Sequence, residues 1–121
     1  MDLVDYAIEA HKSAYAPYSK FKVGVAILGS DEKIYVGCNV ENASFPEGTC
    51  AEASALSAMV IAGCTEIKKV VVYAEGKQIT TPCGGCRQKI SEFSEPDVVI
   101  VCVNSEGNKF AMTIQELLPG A

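Results

Sequence analysis

The sequence predicts an α/β fold, a three-layer α/β/α sandwich built on a mixed sheet of about five strands. Three observations carry that prediction. Two short apolar runs, Val70-Val71-Val72-Tyr73 and Val98-Val99-Ile100-Val101-Cys102-Val103, have the composition of strands covered on both faces. Residues 21–28 alternate, with Val23, Val25 and Ile27 on one face and Gly24 and Ala26 on the other. The turn residues Gly29-Ser30-Asp31-Glu32 then lead into a returning segment over 33–40, which makes a hairpin. Helix-forming stretches separate the later strands, so the strands beyond the hairpin are expected to run parallel to their neighbours.

The elements follow in order. A helix over residues 3–15 is read from Leu3, Tyr6, Ala7, Ala10 and Ala14 at helical spacing, stopped by Pro17. Residues 15–19 form a loop before the hairpin. Residues 39–44, Asn39-Val40-Glu41-Asn42-Ala43-Ser44, form a second loop, rich in side-chain donors and acceptors. Thr49 is expected to cap a helix over 50–62, with Glu52 in its first turn and Gly63 just past its end. That helix is mostly Ala, Ser, Leu and Met, so burial on most sides is expected, against the sheet and another subunit. A helix over 83–93 lies between the two apolar strands. Residues 110–112 make a short edge strand, and Thr113 caps a last turn through residue 118. No linker or internal repeat interrupts the chain, and one domain is expected over residues 1–121.

Composition narrows the function. Hydrophobic residues are 49% of the 121, enough for a packed core, and the net charge of -5 argues against a broad nucleic-acid footprint. No run of apolar residues is long enough to span a membrane. The first residues lack a basic start and an apolar stretch, so no secretory signal is read and a reducing cytoplasmic setting is expected. In that setting six cysteines point to metal or catalytic use ahead of disulfides.

The chemistry gathers at Pro82-Cys83-Gly84-Gly85-Cys86-Arg87 and Thr49-Cys50-Ala51-Glu52. Each segment reads as a helix start. The free amides and dipole of a helix start favour thiolate over thiol, and thiolates bind metals. Three thiolates with no fourth protein ligand describe a catalytic zinc with one position left for water, and Glu52 beside it suits a proton shuttle. A structural zinc normally closes its fourth position with Cys or His. A thioredoxin-like use of Cys83 and Cys86 leaves Cys50 and Glu52 without a role. A Cys/His nucleophile would have to recruit His11, the one histidine, which as a lone helical residue reads as surface or boundary. Cys38, Cys64 and Cys102 read as core residues.

Cys50-Ala51-Glu52 followed by Pro82-Cys83-Gly84-Gly85-Cys86 is the zinc deaminase pattern in its three-cysteine form. Around it the chain resembles the small homotetrameric cytidine deaminases nearly end to end. The matching stretches are Tyr15-Ala16-Pro17-Tyr18-Ser19, Phe21-Lys22-Val23-Gly24, Gly37-Cys38-Asn39-Val40-Glu41-Asn42-Ala43, residues 82–88, and Met112-Thr113-Ile114-Gln115-Glu116-Leu117-Leu118-Pro119. The resemblance implies one Zn²⁺ per chain on Cys50, Cys83 and Cys86. It implies hydrolytic attack at C4 of cytidine or 2′-deoxycytidine, with Glu52 moving the proton and ammonia released. It further implies Asn39 and Glu41 on the ribose 3′-hydroxyl, Phe21 against the base, the Ala51 amide on the pyrimidine O2, and Phe45 near the substrate loop and subunit boundary, where its alternative is ordinary core. A homotetramer acting on a small nucleoside, with no nucleic-acid or membrane partner, is the expected assembly.

Three departures from the family pattern stand out. Ala53 occupies the place of an arginine that usually follows the glutamate, which leaves Arg87, the helix N-termini or a partner subunit to offset the thiolate charge. Glu47 puts a carboxylate just before Cys50. The family's terminal phenylalanine beyond Leu-Leu-Pro is not reached by Ala121. Two other functions remain open at this level: deamination of a modified cytosine nucleoside such as blasticidin S, and a non-catalytic zinc that staples two helices.

Overall fold

In the computed structural model, which describes residues 2–120, Asp2 starts the first helix. Its carboxylate accepts the Asp5 N–H at 3.0 Å, and the Asp5 carboxylate accepts the Asp2 N–H at 3.1 Å, a reciprocal cap for α1 (Leu3–Lys12). The helix ends short of the expected residue 15. Tyr15 donates its N–H to Asn39 O at 3.0 Å and accepts from the Glu41 N–H at 2.8 Å, so the chain is already extended before Pro17. The hairpin follows as β1 (Val23–Gly29) and β2 (Ile34–Cys38). A single 3₁₀ turn, Phe45–Glu47, precedes α2 (Ala51–Ile61); then come β3 (Ile67–Ala74), α3 (Gly84–Glu92), β4 (Ser94–Asn104), β5 (Lys109–Thr113) and α4 (Ile114–Leu117).

The five strands lie in the order β2-β1-β3-β4-β5. The expectation of parallel neighbours beyond the hairpin holds for β3 and β4 alone. β1 pairs antiparallel with both β2 and β3, and β5 pairs antiparallel with β4. The reason is topological. β2 and β3 point the same way, as a helical crossover requires, but β1 fills the place between them. The edge strand at residues 110–112 and the Thr113 cap appear as expected, the latter with Glu116 as its reciprocal partner.

Period-two alternation between two covered faces explains why the runs over residues 70–73 and 98–103 are apolar without a break. Val70, Val72 and Ile100 pack with Ala55, Leu56, Met59, Ile90 and Leu117 on the face carrying α2, α3 and α4. Val71 and Tyr73 pack with Ala7, Ala26 and Val103 on the face carrying α1. Each fully buried aliphatic side chain contributes about 1.5–3 kcal/mol to holding these layers together. Among the described residues the sandwich therefore has one helix on one side and three on the other.

Two glycines set how closely the layers approach. A Cβ at Gly24 would lie 2.1 Å from Ala7 O, so α1 rests on the β1 backbone. A Cβ at Gly37 would lie 2.3 Å from Ala55 N and 2.6 Å from Ala51 O, so the first turns of α2 rest on β2 in the same way. One expectation about burial changes. His11 is buried, with its Nδ1 2.5 Å from Ile8 O, its Nε2 2.8 Å from the Glu75 carboxylate and its ring edge-on to Tyr73. It ties α1 to the end of β3. α2 buries Ala51, Glu52, Ala55, Leu56 and Met59 against the sheet but leaves Val60 open and Ile61 89% exposed.

Candidate metal centre and its cavity

Each ligand-bearing helix begins on a cysteine. Cys50 is the N-cap of α2 and Cys83 the N-cap of α3, both in extended backbone conformation and neither making the side-chain cap bond that Ser, Thr or Asp would make. The cap therefore falls on Cys50 and not on the expected Thr49. Thr49 is held extended by its two backbone bonds with Val40, at 2.8 and 2.9 Å, which brings the turn into the helix one residue later. Likewise α3 runs from Gly84 with Cys83 outside it. Cys86 sits one turn in and is fully buried.

The Sγ atoms of Cys50, Cys83 and Cys86 lie within 4.8 Å of one another. Tetrahedral thiolates about 2.3 Å from one zinc are separated by about 3.8 Å, so three sulfurs this close can close on a single ion with small shifts. Electrostatics make the same demand. The Cys86 amide holds the Cys83 thiol below its usual pKa. Burial pushes Cys50 and Cys86 upward, and the Glu52 charge and neighbouring sulfurs add to the push on Cys86. Left to themselves two of these thiols keep their protons; a divalent cation is what makes all three thiolates together. Three soft donors favour zinc over hard oxygen-seeking ions such as magnesium.

Glu52 lies in the first turn of α2 with its side chain buried, and burial raises its pKa above 4.5. A cavity of about 190 Å³ opens beside the sulfurs, walled by Val23, Asn39, Ala51, Glu52, Val72, Thr80 and Thr81. Ala51 is the first residue inside α2, so its N–H has no partner within the helix. Next to it a larger cavity of about 430 Å³ is lined by Tyr18, Ser19, Asn39, Glu41, Phe45 and Cys50, among others. Asn39 and Cys50 border both.

Of the remaining sequence-predicted residues, Asn39, Glu41 and Phe45 line these cavities and Phe21 does not. Phe21 is 40% exposed at the lead-in to β1. Asn39 donates its amide N–H to Phe21 O at 2.9 Å and accepts the Val23 N–H at 2.9 Å. Glu41 accepts the Tyr18 and Ser19 amides at 3.0 and 3.1 Å and the Ser19 hydroxyl, and these donors hold its carboxyl below the usual range. Phe45, 91% exposed, is not core. Phe45, Pro46 and Gly48 line the larger cavity, while Glu47 is exposed in the same turn. Arg87 donates to Pro82 O at 2.8 Å, Thr81 Oγ1 at 3.1 Å and Leu117 O at 3.1 Å. All three acceptors are neutral, so its positive charge stays at the base of α3 while it braces the lead-in to Cys83. Cys64 and Cys102 are buried as expected, with burial raising Cys102 to about 11, and Cys38 is half-buried. Sequence reasoning gave no role to Ser19, Thr80, Thr81 or Val72. Ser19 belongs to a stretch already singled out; the threonines carry no pattern of their own.

The model of the cytidine and deoxycytidylate deaminase zinc-binding region matches residues 1–102. Cytidine deaminases of Sporosarcina psychrophila and Halalkalibacterium halodurans are each 40% identical to this chain over 119 residues, covering 98% of it and 88% and 90% of themselves. The crystal structure of cytidine deaminase from Burkholderia pseudomallei matches with a TM-score of 0.93 at 40% identity, over 98% of this chain and 95% of that one. With three sulfurs converging at two helix starts and a match of this extent, the chain belongs to the cytidine and deoxycytidylate deaminase family.

Proposed function

We propose that this chain, acting as one domain, is a zinc-dependent cytidine deaminase that hydrolyses cytidine and 2′-deoxycytidine to uridine and 2′-deoxyuridine with release of ammonia. One zinc per chain is held by Cys50, Cys83 and Cys86. When bound there it supplies a water whose pKa falls toward about 7. Glu52, buried in the cavity wall, would carry two protons in turn, one from the attacking water to N3 of the pyrimidine, where it stays, and one from the new hydroxyl on C4 to the leaving amine. The C4–N bond breaks as a C4–O bond forms, so water and cytidine become uridine and ammonia. The free Ala51 amide donates to the pyrimidine O2, Phe21 packs on the base, and Asn39 and Glu41 grip the 3′-hydroxyl between an amide and a carboxylate.

The observation that carries this reading is the cavity itself: the same small space is bordered by two ligand cysteines, the buried acid and a helix-start amide. Assembly as a homotetramer in the cytoplasm is part of the proposal. It is supported by an open apolar groove between α2 and α3, bordered by Leu56, Val60, Ile61 and Phe93, and by the exposure of Phe45 at the cavity mouth. The test is a panel of cytidine, deoxycytidine, cytosine and blasticidin S offered to the zinc-loaded protein, reading the ultraviolet change and ammonia. Turnover of the two nucleosides is expected. Turnover of blasticidin S alone would reassign the substrate, and silence on all four would leave a zinc that only staples helices.

A further inference from the structure

Glu41 and Phe21, assigned above to the ribose and the base, are joined through one small residue. Ser19 donates its hydroxyl to Glu41 Oε2 and its amide to Oε1 at 3.1 Å, alongside the Tyr18 amide at 3.0 Å. With its proton committed to the carboxylate, the hydroxyl oxygen accepts the Phe21 N–H at 3.0 Å. The other side of Phe21 is held by Asn39, which donates to Phe21 O at 2.9 Å. Lys20, between Ser19 and Phe21, has a φ of 61°, a left-handed conformation that a non-glycine residue adopts only where its surroundings impose it. The Lys20 N–H bonds back to Ala16 O at 3.0 Å, which closes the turn.

A carboxylate offers about four lone-pair positions, two on each oxygen. In Glu41 both positions on Oε1 and one on Oε2 are filled, which leaves one position on Oε2. We propose that Ser19 is a positioning residue: it fixes Glu41 so that a single acceptor site faces a substrate hydroxyl, and it couples that grip to the ring of Phe21. The inference rests on the cytidine deaminase reading and adds a residue to its substrate grip.

Steady-state kinetics of the wild type, Ser19→Ala and Ser19→Thr with cytidine and with 3′-deoxycytidine test this, with thermal melting to verify that each variant folds. Ser19→Ala is expected to raise KM for cytidine about tenfold, with kcat within about twofold of wild type, since a bond to a charged acceptor is lost in ground and transition states alike. The same change is expected to alter KM for 3′-deoxycytidine by less than about threefold, because the hydroxyl that Glu41 would hold is gone. Ser19→Thr, which keeps the hydroxyl, is expected to restore cytidine KM. Equal losses on both substrates, or a fall in kcat with KM unmoved, would overturn the role of Ser19 while leaving deamination intact. A wild type silent on cytidine would overturn the deaminase reading and this inference with it.

Discussion

Glu52 is the residue at which function and stability pull apart. Burial raises its pKa above the ordinary 4.5, so the folded metal-free chain binds this proton more tightly than the unfolded chain does. Stability of the metal-free protein therefore falls as pH rises from 4.5 through the raised value, and above that the full cost of the buried charge is present. Glu52→Gln removes the charge. The metal-free variant is expected to melt above wild type at neutral pH, with the difference vanishing below about pH 4, where the wild-type carboxyl is protonated in both states. Equal melting temperatures at neutral pH would mean that the carboxylate is not penalised by its site. This acid and the three cysteines were legible in the sequence because a ligand triad and a nearby carboxylate leave a spacing that survives without coordinates. Ser19 was not. Its role depends on the chain folding back so that residue 41 reaches residue 19, and no local pattern records that.

At the scale of elements, what places the metal ligands is the contact between α2 and β2. Gly37 leaves no room for a methyl group beneath Ala51 and Ala55, so the start of α2 is fixed by backbone packing. Gly37→Ala is expected to push α2 outward and shift Cys50 from Cys83 and Cys86. The measurable results are a zinc affinity lowered by at least about tenfold and a melting temperature several degrees lower, as overpacking typically costs about 1–3 kcal/mol. Zinc affinity unchanged from wild type would show that α2 is positioned by something else. Element types and order were readable because the apolar runs and the helix starts are local signals. The boundaries were less so. α1 ended early and Thr49 lost the cap to Cys50 because residues 15, 40 and 49 are drawn into backbone bridges with one another's loops. His11 went inside for a similar reason: its partners, Tyr73 and Glu75, lie far along the chain.

For the whole molecule, the sheet order was only partly readable. A helical crossover fixes the relative direction of β2 and β3, but nothing local states that β1 lies between them. The apolar character of α2 has a similar double meaning. One face packs on the sheet; the other, with Val60 and Ile61, borders the groove against α3. If that groove joins copies of the chain, Ile61→Lys is expected to shift the mass measured by light scattering from tetramer toward smaller species, and a wild-type monomer would contradict the assembly. Zinc occupancy and turnover are tested together by one titration. Zinc is returned stepwise to the metal-free protein while ammonia release from cytidine is followed, for wild type and Glu52→Gln. The rate is expected to rise with bound zinc and level at one ion per chain. In the variant the same one ion is bound, but the rate falls about a hundred- to ten-thousand-fold, the range of a lost general acid–base. One zinc bound per chain with no ammonia released from cytidine by the wild type would contradict the deaminase reading.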